Sequence, residues 1–540
     1  MAKRYRPVLR DQPVLLPEDM RDWLPPDHPV WLVIRAVEDH LDTSAFHAAR
    51  RAGGAGAAGY DPDMLVTLLM WAYAGGITSS RRIEALCRTD AAFRVICAGS
   101  FPDHVTIARF RAGSGGAAQR LFTEVLVLCA RLGMGRLGTV ALDGMKIAAS
   151  ASRAASRTEQ ALRRLACERA AEHAAADAAE DELFGAGRRG DEVPPEAADP
   201  ATRDERIRRA LAGLEAERKA VEQQRDAQAW AYLEALEAGA APRGQVPAAA
   251  AVAAARARLE RAEAAQRAKA AAWQAQRAAE KEAGIPRRPG GRKPFPPEAH
   301  AGVRRARAAL ERAGAKAAAE RKAASKGPGP VRNLTDPDSR LMPIRGGAFI
   351  QGYNAQNVTS EDKLIIATEL TADPGDRAWF EPMLRQAQDA AALIRAHQPP
   401  GRQGGASDDI GLFLADAGYC SERNLTTAGP DRLIATGKHR DLEKAASGAT
   451  GAGSAAHSQA AAAMAARLAT PAGITAYRQR GHIAETPHGH IKHNMRFRQL
   501  SVRGKTKTAA EWRFAATVHN LFKAITTGHL TTQALAALSA

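Results

Sequence analysis

Three acidic residues stand where their carboxylates could do chemistry. Asp143 follows the apolar residues VAL, and Asp416 follows FLA, in two stretches that are typical of short strands. Glu485 is the one acid in YRQRGHIAETPHGHIKHNMRF, residues 477–497, which is rich in Arg, Lys and His. If the two strands are neighbours, both Asp carboxylates converge at one sheet edge, and a helix can bring Glu485 to them. Three such oxygen donors suit Mg²⁺ or Mn²⁺, which keep water ligands and accept phosphate oxygens.

A pair of such ions would explain a single acid among so many basic residues. Two ions, roughly 3.5–4 Å apart, can activate an attacking oxygen and stabilise the leaving oxygen at a phosphodiester. Arg and Lys side chains nearby would hold the phosphate backbone. The histidines of the segment are expected to be polar groups that face DNA or the core, not a zinc site: His482, His488, His490 and His493.

The chain is strongly basic. Its 540 residues carry a formal net charge of +17, which favours a polyanionic partner, most commonly nucleic acid. An acidic membrane surface is the other candidate, but no apolar run approaches the ~20 residues of a spanning helix. The N-terminus lacks the apolar region of a signal peptide. The five cysteines are scattered, so neither a zinc knuckle nor disulfides are expected. We expect a cytoplasmic protein, without membrane contact, that associates with the nucleoid when bound to DNA.

The sequence divides into a helical start, a strand-bearing core and a charged helical insertion. Residues 1–130 suit a helix-turn-helix-like DNA-binding module, with an ordinary helical bundle as the alternative. Residues 131–150 hold the first core strand. Residues 151–330 are rich in Ala, Glu, Arg and Lys, which predicts long helices in a helical hairpin or a coiled-coil arm. Strand and helix signals alternate in residues 331–540, so we predict an α/β protein with a mixed sheet and helices packed on it.

Some features of the last segment are assigned to local structure. The stretches GAFIQGYNAQNVTS and KLIIATELTADPGD flank the turn SEDK and predict an antiparallel strand pair. Asp336 and Asp338 in TDPDSR are expected to form a turn. Asp376 in GDRAWF is expected to begin a helix.

Five stretches, in this order, resemble the motifs of bacterial insertion-sequence transposases of the DDE type. They are LDGMKIAASAS, NLTDPDSRLM with GGAFIQGYNAQ, LADAGYCSERN, YRQRGHIAETPHGHIKHNMRFRQL and EWRFAATVHNLFK. The resemblance covers nearly the whole chain, including its N-terminal part. More narrowly, the chain resembles the insertion-sequence group numbered eleven-eighty-two. It implies a catalytic core with the RNase H-like fold.

The resemblance also implies roles for individual residues. Asp143, Asp416 and Glu485 would be the catalytic metal ligands. The other members of the family's Tyr-Arg-Glu-Lys segment would contact DNA near the cleaved bond, with packing as the alternative role of the tyrosine. In this chain they are Tyr477, Arg478 or Arg480, and Lys492.

The helical structure of this segment can be read in two ways. Arg478, Glu485 and Lys492 are seven residues apart, which would align them on one helix face. Pro487 would interrupt that helix, so Thr486 could instead cap a new helix with Pro487 at its first position. Glu485 would then stand just before the new helix.

The choice between Arg478 and Arg480 also stays open. Four residues separate Arg480 from Glu485, where three are commoner in the family, and Gly481 occupies the three-residue position. The assignment of the acid does not depend on this choice.

Together these features predict a metal-dependent DNA transposase. A metal-activated water would cut the phosphodiester at the element end, and the freed 3′-hydroxyl would attack target DNA in one in-line step. No covalent protein–DNA intermediate is needed. Pairing of two element ends would need a homodimer or a higher oligomer. The alternatives are a catalytically decayed DNA-binding protein and an RNase H-like nuclease that cleaves without strand transfer.

Overall fold

The chain forms two compact units. The computed structural model describes residues 19–48, 59–184, 203–237, 248–283, 293–326, 330–344, 346–399, 409–437 and 459–539. One unit is formed by residues 1–155 together with 335–540, and the other by residues 156–334. Within the described ranges, no helix is both long and apolar enough to cross a membrane.

Short helices fill the beginning of the first unit. Asp61, Asp90 and Asp103 each precede a helix, and their side chains accept hydrogen bonds from backbone N–H groups of its first turn. The helices and the strand that follows them are α1 (Pro29–Arg35), α2 (Ser44–His47), α3 (Pro62–Ala74), α4 (Ser80–Thr89), α5 (Ala91–Cys97), α6 (His104–Gly113), α7 (Gly115–Arg131) and β1 (Thr139–Ala148).

The second unit is built from long, charged helices and a short strand pair. The strands β2 (Ser156–Thr158) and β3 (Val331–Asn333) pair antiparallel, so they join the two ends of the unit. Ion pairs four residues apart, such as Glu159 with Arg163, support the helices. These helices are α8 (Glu159–Phe184), α9 (Arg203–Glu237), α10 (Ala248–Glu282) and α11 (Ala301–Lys326).

The remainder of the first unit supplies most of its sheet. The strands are β4 (Arg340–Pro343), β5 (Phe349–Thr359), β6 (Ile365–Thr371), β7 (Leu412–Ala415) and β8 (Asp431–Ile434). The helices are α12 (Phe380–His397), α13 (Glu422–Thr426), α14 (Gln459–Leu468), α15 (Pro471–Arg480), α16 (Thr486–Gly489), α17 (Lys505–Thr526) and α18 (Thr532–Ser539). Two π-helical turns, Gly481–Glu485 and His490–Asn494, flank α16.

The sheet of the first unit is mixed. Its order is β4–β5–β1–β7–β8, and β6 also pairs with β5. The pairings β1–β5, β4–β5 and β5–β6 are antiparallel. The pairings β1–β7 and β7–β8 are parallel. The prediction of an α/β protein with a mixed sheet is therefore confirmed, as is the antiparallel pair now seen as β5 and β6.

Helix α17 is fixed to the edge of this sheet by its side chains. Asn520 accepts a hydrogen bond from the Ile365 N–H at 2.9 Å and donates one to the Ile365 carbonyl at 2.8 Å. At Ile365, the backbone N–H and carbonyl on the outer edge of β6 are therefore satisfied by a helix side chain instead of another strand. Trp512 lies on the same helix and is fully buried.

The turn predicted at Asp336 has a second role. The Ser339 N–H donates to the Asp336 carbonyl, which closes the turn. The Asp336 side chain is also buried, accepting from the Tyr353 hydroxyl at 2.9 Å and from the Gly504 N–H at 3.2 Å. The turn thereby anchors the start of α17 to strand β5.

Candidate active site

Parallel pairing of two strands brings Asp143 and Asp416 to the same level of the sheet. Leu142 on β1 is in register with Ala415 on β7. Asp143 follows Leu142 within β1, and Asp416 follows Ala415 directly after β7 ends. The carboxylate of Asp416 therefore leaves the sheet beside that of Asp143. The carboxyl end of a parallel strand pair is a usual place for a polar site in an α/β protein.

The negative charges of Asp143 and Asp416 are only partly compensated by neighbouring donors and positive charges. Burial raises the pKa of Asp143, and the guanidinium of Arg480 opposes this. Burial and then the charge of Asp143 raise the pKa of Asp416. Each carboxylate accepts one backbone hydrogen bond, from Gly144 to Asp143 at 3.0 Å and from Gly418 to Asp416 at 2.9 Å. The site therefore favours either protons or a cation.

The burial of Asp416 beside the negative charge of Asp143 gives a prediction for stability. Without divalent ions, Asp416→Asn should raise the melting temperature near pH 7 by roughly 2–4 °C, the shift that about 1 kcal/mol produces in a large domain. Because the pKa of Asp416 is raised on folding, the folded state holds the proton more tightly than the unfolded state does. Wild-type stability therefore falls as the pH rises from about 4, the pKa of an unfolded Asp, whereas the Asn variant escapes this loss.

Thermal unfolding in a chelator between about pH 4 and pH 8 checks this prediction. The advantage of the variant should be largest at the alkaline end and should disappear near pH 4. The exposed Asp389 on α12 offers a matched control, because Asp389→Asn should leave the melting temperature unchanged. An Asp416→Asn protein that is less stable than wild type at neutral pH would contradict the reading of the site as charge-strained.

Residues 471–494 form one continuous helix that runs on through Pro487. This helix contains most of the basic segment, residues 477–497. Thr486 has helical angles (φ −61°, ψ −50°), so it does not cap a new helix as the alternative reading of the sequence proposed. A proline inside a helix has no N–H to donate, and its ring meets the carbonyl four residues earlier. That carbonyl belongs to Ile483, inside the first π turn (Gly481–Glu485), where the backbone follows a wider path.

The same π turn explains the unusual spacing of Arg480 and Glu485. A π turn closes its hydrogen bond over five residues, so it places residue i+5 beside residue i, as an α-helix does for residue i+4. Arg480 Nη2 lies 3.7 Å from Glu485 Oε1, and Arg480 Nη1 lies 3.5 Å from Asp143 Oδ1. The extra residue in the sequence is thus absorbed by the helix. Arg480 faces the acids, and Arg478 is exposed.

The structure does not gather all three acids into one tight group. The Glu485 side chain is 58% exposed and meets Asp143 only through the guanidinium of Arg480. In the part of the chain that is described, the ligand atoms of Asp143, Asp416 and Glu485 do not all lie within 4.8 Å of one another. A group that does meet this distance is His47, Asp61 and Asp63, among the N-terminal helices.

Two other residues of the basic segment lie near the aspartates. Tyr477, one of the predicted DNA contacts, is buried, and its hydroxyl donates to the Ala415 carbonyl at 3.4 Å. It therefore supports the end of β7 directly before Asp416. Lys492 is partly buried; burial lowers the pKa of its ammonium group, and the charge of Asp143 opposes this shift.

A fourth acid at the site was not recognised from the sequence. Asp376 precedes a 3₁₀ turn (Arg377–Trp379), in agreement with the predicted helix start, but its side chain makes no capping hydrogen bond. Its Oδ1 instead accepts from three side chains of the sheet: Lys146 at 3.1 Å, Asn354 at 2.7 Å and Gln356 at 2.8 Å. These contacts are long-range, so no local pattern indicates them.

Glycines allow Asp376 to approach the catalytic candidates. A Cβ atom on Gly144 would lie 2.7 Å from Asp376 Oδ1. A Cβ atom on Gly418 would lie 3.0 Å from Asp416 Oδ1 and 3.3 Å from Asp376 Oδ2. The middle of β1 and the turn after β7 therefore need residues without side chains at these two positions for the carboxylates to share this space.

The residues present fit a hard divalent cation. The candidate ligands offer only carboxylate oxygens, which Mg²⁺ and Mn²⁺ prefer. Arg480 Nη1 is buried and lies 3.5 Å from Asp143 Oδ1 without a hydrogen bond between them, so the guanidinium leaves this oxygen with acceptor capacity for a cation.

Comparison with known protein families adds an independent finding. A transposase domain (DUF772) matches residues 18–113, and a transposase DDE domain matches residues 444–525. No curated protein and no solved structure matches the chain. Glu485 lies within the second matched segment, whereas Asp143 and Asp416 lie outside both.

The two matched domains indicate a general activity. Transposase domains indicate DNA transposition with DNA as the substrate. A transposase DDE domain implies a phosphodiester-cleaving enzyme that depends on a divalent metal. Without selecting a narrower group, the matches support an insertion-sequence transposase of the DDE type.

Proposed function

We propose that the protein cleaves DNA at the ends of its insertion element and joins the freed 3′-hydroxyl to target DNA. The observation that carries this proposal is the in-register placement of Asp143 and Asp416 beside Arg480 and Glu485. The sheet order supports an RNase H-like core, because an antiparallel meander of β1, β5 and β6 is followed by two strands parallel to β1.

Asp143, Asp416 and Glu485 would hold one or two Mg²⁺ or Mn²⁺ ions. Such ions would supply activation of the attacking oxygen and stabilisation of the departing one. Arg480 and Lys492 place positive charge beside Asp143, where they would hold the phosphate of the cleaved bond. The chain needs no nucleophilic side chain, because water and the DNA 3′-hydroxyl attack in turn.

The N-terminal helices would contribute a DNA-backbone contact. Arg81, Arg109 and Arg111 line a cavity of about 660 Å³ at the start of α4. Arg111 donates to the Thr78 carbonyl at 2.6 Å and therefore braces this helix start. Positive side chains beside helix N–H groups suit phosphate oxygens. This favours DNA binding over a purely structural helical bundle.

The proposal extends to the assembly of the protein, its location and its second unit. Two element ends must be held together for joining, so the protein would act as a homodimer or a higher oligomer, as in the family it resembles. Its DNA substrate would place it in the bacterial cytoplasm, at the nucleoid. Residues 156–334 would serve as a helical arm of this assembly.

A plasmid assay tests the proposed function. The purified full chain is incubated with a donor plasmid carrying the complete element and with a target plasmid, in Mg²⁺, Mn²⁺, Ca²⁺ or a chelator. The expected result is metal-dependent cleavage exposing 3′-hydroxyls at the element ends, followed by joined donor–target products. Cleavage without joined products would instead indicate a nuclease, and binding without cleavage a decayed transposase.

A further inference from the structure

A chain of buried side chains leads from the centre of the first unit to Asp143. Trp512 Nε1 lies 2.8 Å from Thr368 Oγ1, and Thr368 Oγ1 lies 2.6 Å from Asn357 Oδ1. Asn357 Nδ2 lies 2.9 Å from His488 Nε2. His488 Nδ1 then faces Asp143 Oδ2 at 3.7 Å. The first four of these residues are at most 8% exposed, so water does not compete for their hydrogen bonds.

The indole group fixes the direction of this chain. Trp512 Nε1–H can only donate, so the Thr368 hydroxyl accepts from it and gives its own proton to Asn357 Oδ1. The Asn357 NH₂ group must then face His488 Nε2. The reverse orientation of the amide would leave the Thr368 proton without this acceptor in a buried place, at a cost of about 1–3 kcal/mol.

The direction of the chain assigns the tautomer of the histidine. Because Asn357 Nδ2 donates, His488 Nε2 must accept and carries no proton. This excludes both the Nε2–H tautomer and the doubly protonated ring. The proton of the neutral imidazole is therefore on Nδ1, the nitrogen that faces Asp143 Oδ2.

We propose that His488 is a positioning residue that directs its Nδ1–H at Asp143 Oδ2 and so sets the orientation of that carboxylate. The other oxygen, Oδ1, receives the Gly144 N–H and faces Arg480. The 3.7 Å separation is longer than a hydrogen bond, so the N–H acts through its dipole. The value of this orientation rests on the proposed function, in which Asp143 is a metal ligand, because groups behind a ligand fix its geometry.

The tautomer can be measured without any activity. Nuclear magnetic resonance of the full chain with ¹⁵N-labelled histidine rings reports which ring nitrogen is protonated, and the signal lost in His488→Asn assigns the residue. The expected spectrum at neutral pH shows protonated Nδ1 and unprotonated Nε2. Thr368→Val removes the hydroxyl with little change of shape and should produce a mixture of tautomers. An Nε2–H or doubly protonated ring in the wild type would overturn the proposal.

A pair of substitutions tests the positioning role. Asn at position 488 can place an N–H where Nδ1 is, whereas Gln reaches the place of Nε2. His488→Asn should keep Mg²⁺-dependent cleavage within about fivefold of wild type, and His488→Gln should lose roughly 10–100-fold, the usual cost of removing a group behind a metal ligand. The exposed His397→Gln, at the end of α12, is the matched control and should be silent.

Mn²⁺ affinity, measured by titration of the same proteins, separates the two possible failures. If the wild type cleaves no DNA but His488→Gln binds Mn²⁺ at least tenfold more weakly than His488→Asn, the proposed function fails and the role of His488 stands. Equal Mn²⁺ affinity of the two variants, or equal cleavage rates in an active protein, would overturn the positioning role.

Discussion

Replacing Asp143 with Asn is expected to abolish DNA cleavage and strand transfer. The substitution keeps the shape of the side chain but removes a charge that would bind the metal. Metal ions supply several kcal/mol of transition-state stabilisation, so the rate should fall roughly 10³-fold or more. Asp416→Asn should have an effect of the same size, because the two carboxylates occupy equivalent positions on paired strands.

The loss should be confined to chemistry. Both variants should bind element-end DNA within about threefold of wild type in a gel-shift assay, because the basic residues are unchanged. Circular dichroism should show an unchanged fold. Asp389→Asn, an exposed change on α12, should cleave at the wild-type rate. An Asp143→Asn protein that keeps more than a tenth of wild-type cleavage would remove Asp143 from the catalytic role.

The first π turn (Gly481–Glu485) should tolerate the loss of one residue and reject the gain of one. Deleting the exposed His482 in a Pro487→Ala background, where no proline ring needs the wider path, would turn the π turn into an α-helical turn and place Glu485 four positions after Arg480, on the same face. Cleavage should then stay within about fivefold of wild type. Inserting an alanine after His482 leaves no such compensation, so Arg480 would be rotated away from Glu485 and cleavage should fall roughly 100-fold.

The two length variants are compared in the same plasmid assay. Equal melting temperatures would show that any difference in rate comes from the register of the helix and not from unfolding. If the deletion is as damaging as the insertion, the π turn has a function of its own, and its reading as an absorbed extra residue is wrong.

The strands that carry the aspartates could be predicted because apolar residues stand directly before each acid; β7 ends at Ala415, whereas β1 continues past Asp143 to Ala148. Their adjacency could not be derived from local pattern, since β1 and β7 are far apart in the chain and pair only through the folded sheet. The place of Asp376 at the site could not be predicted for the same reason, because its partners Lys146, Asn354 and Gln356 come from β1 and β5. Tertiary contacts, unlike periodicity, leave no regular signal in a sequence.

The basic segment shows how a correct observation can support two structures. The four-residue spacing between Arg480 and Glu485 was a sign of the π turn, but an irregular helix cannot be distinguished from a broken one by spacing alone. Pro487 favoured a new helix start because proline usually opens or breaks helices. The preceding π turn removed the usual reason for a break, so the helix continues.

The most direct test of the account is to locate metal ions on the protein. Crystals of the full chain with cleaved element-end DNA and Mn²⁺ would give an anomalous difference map that shows manganese without ambiguity. The expected result is one or two peaks bound by Asp143 and Asp416, with Glu485 as a ligand to at least one. Manganese found only elsewhere, such as at His47, Asp61 and Asp63, with none between the two aspartates, would contradict the central claim.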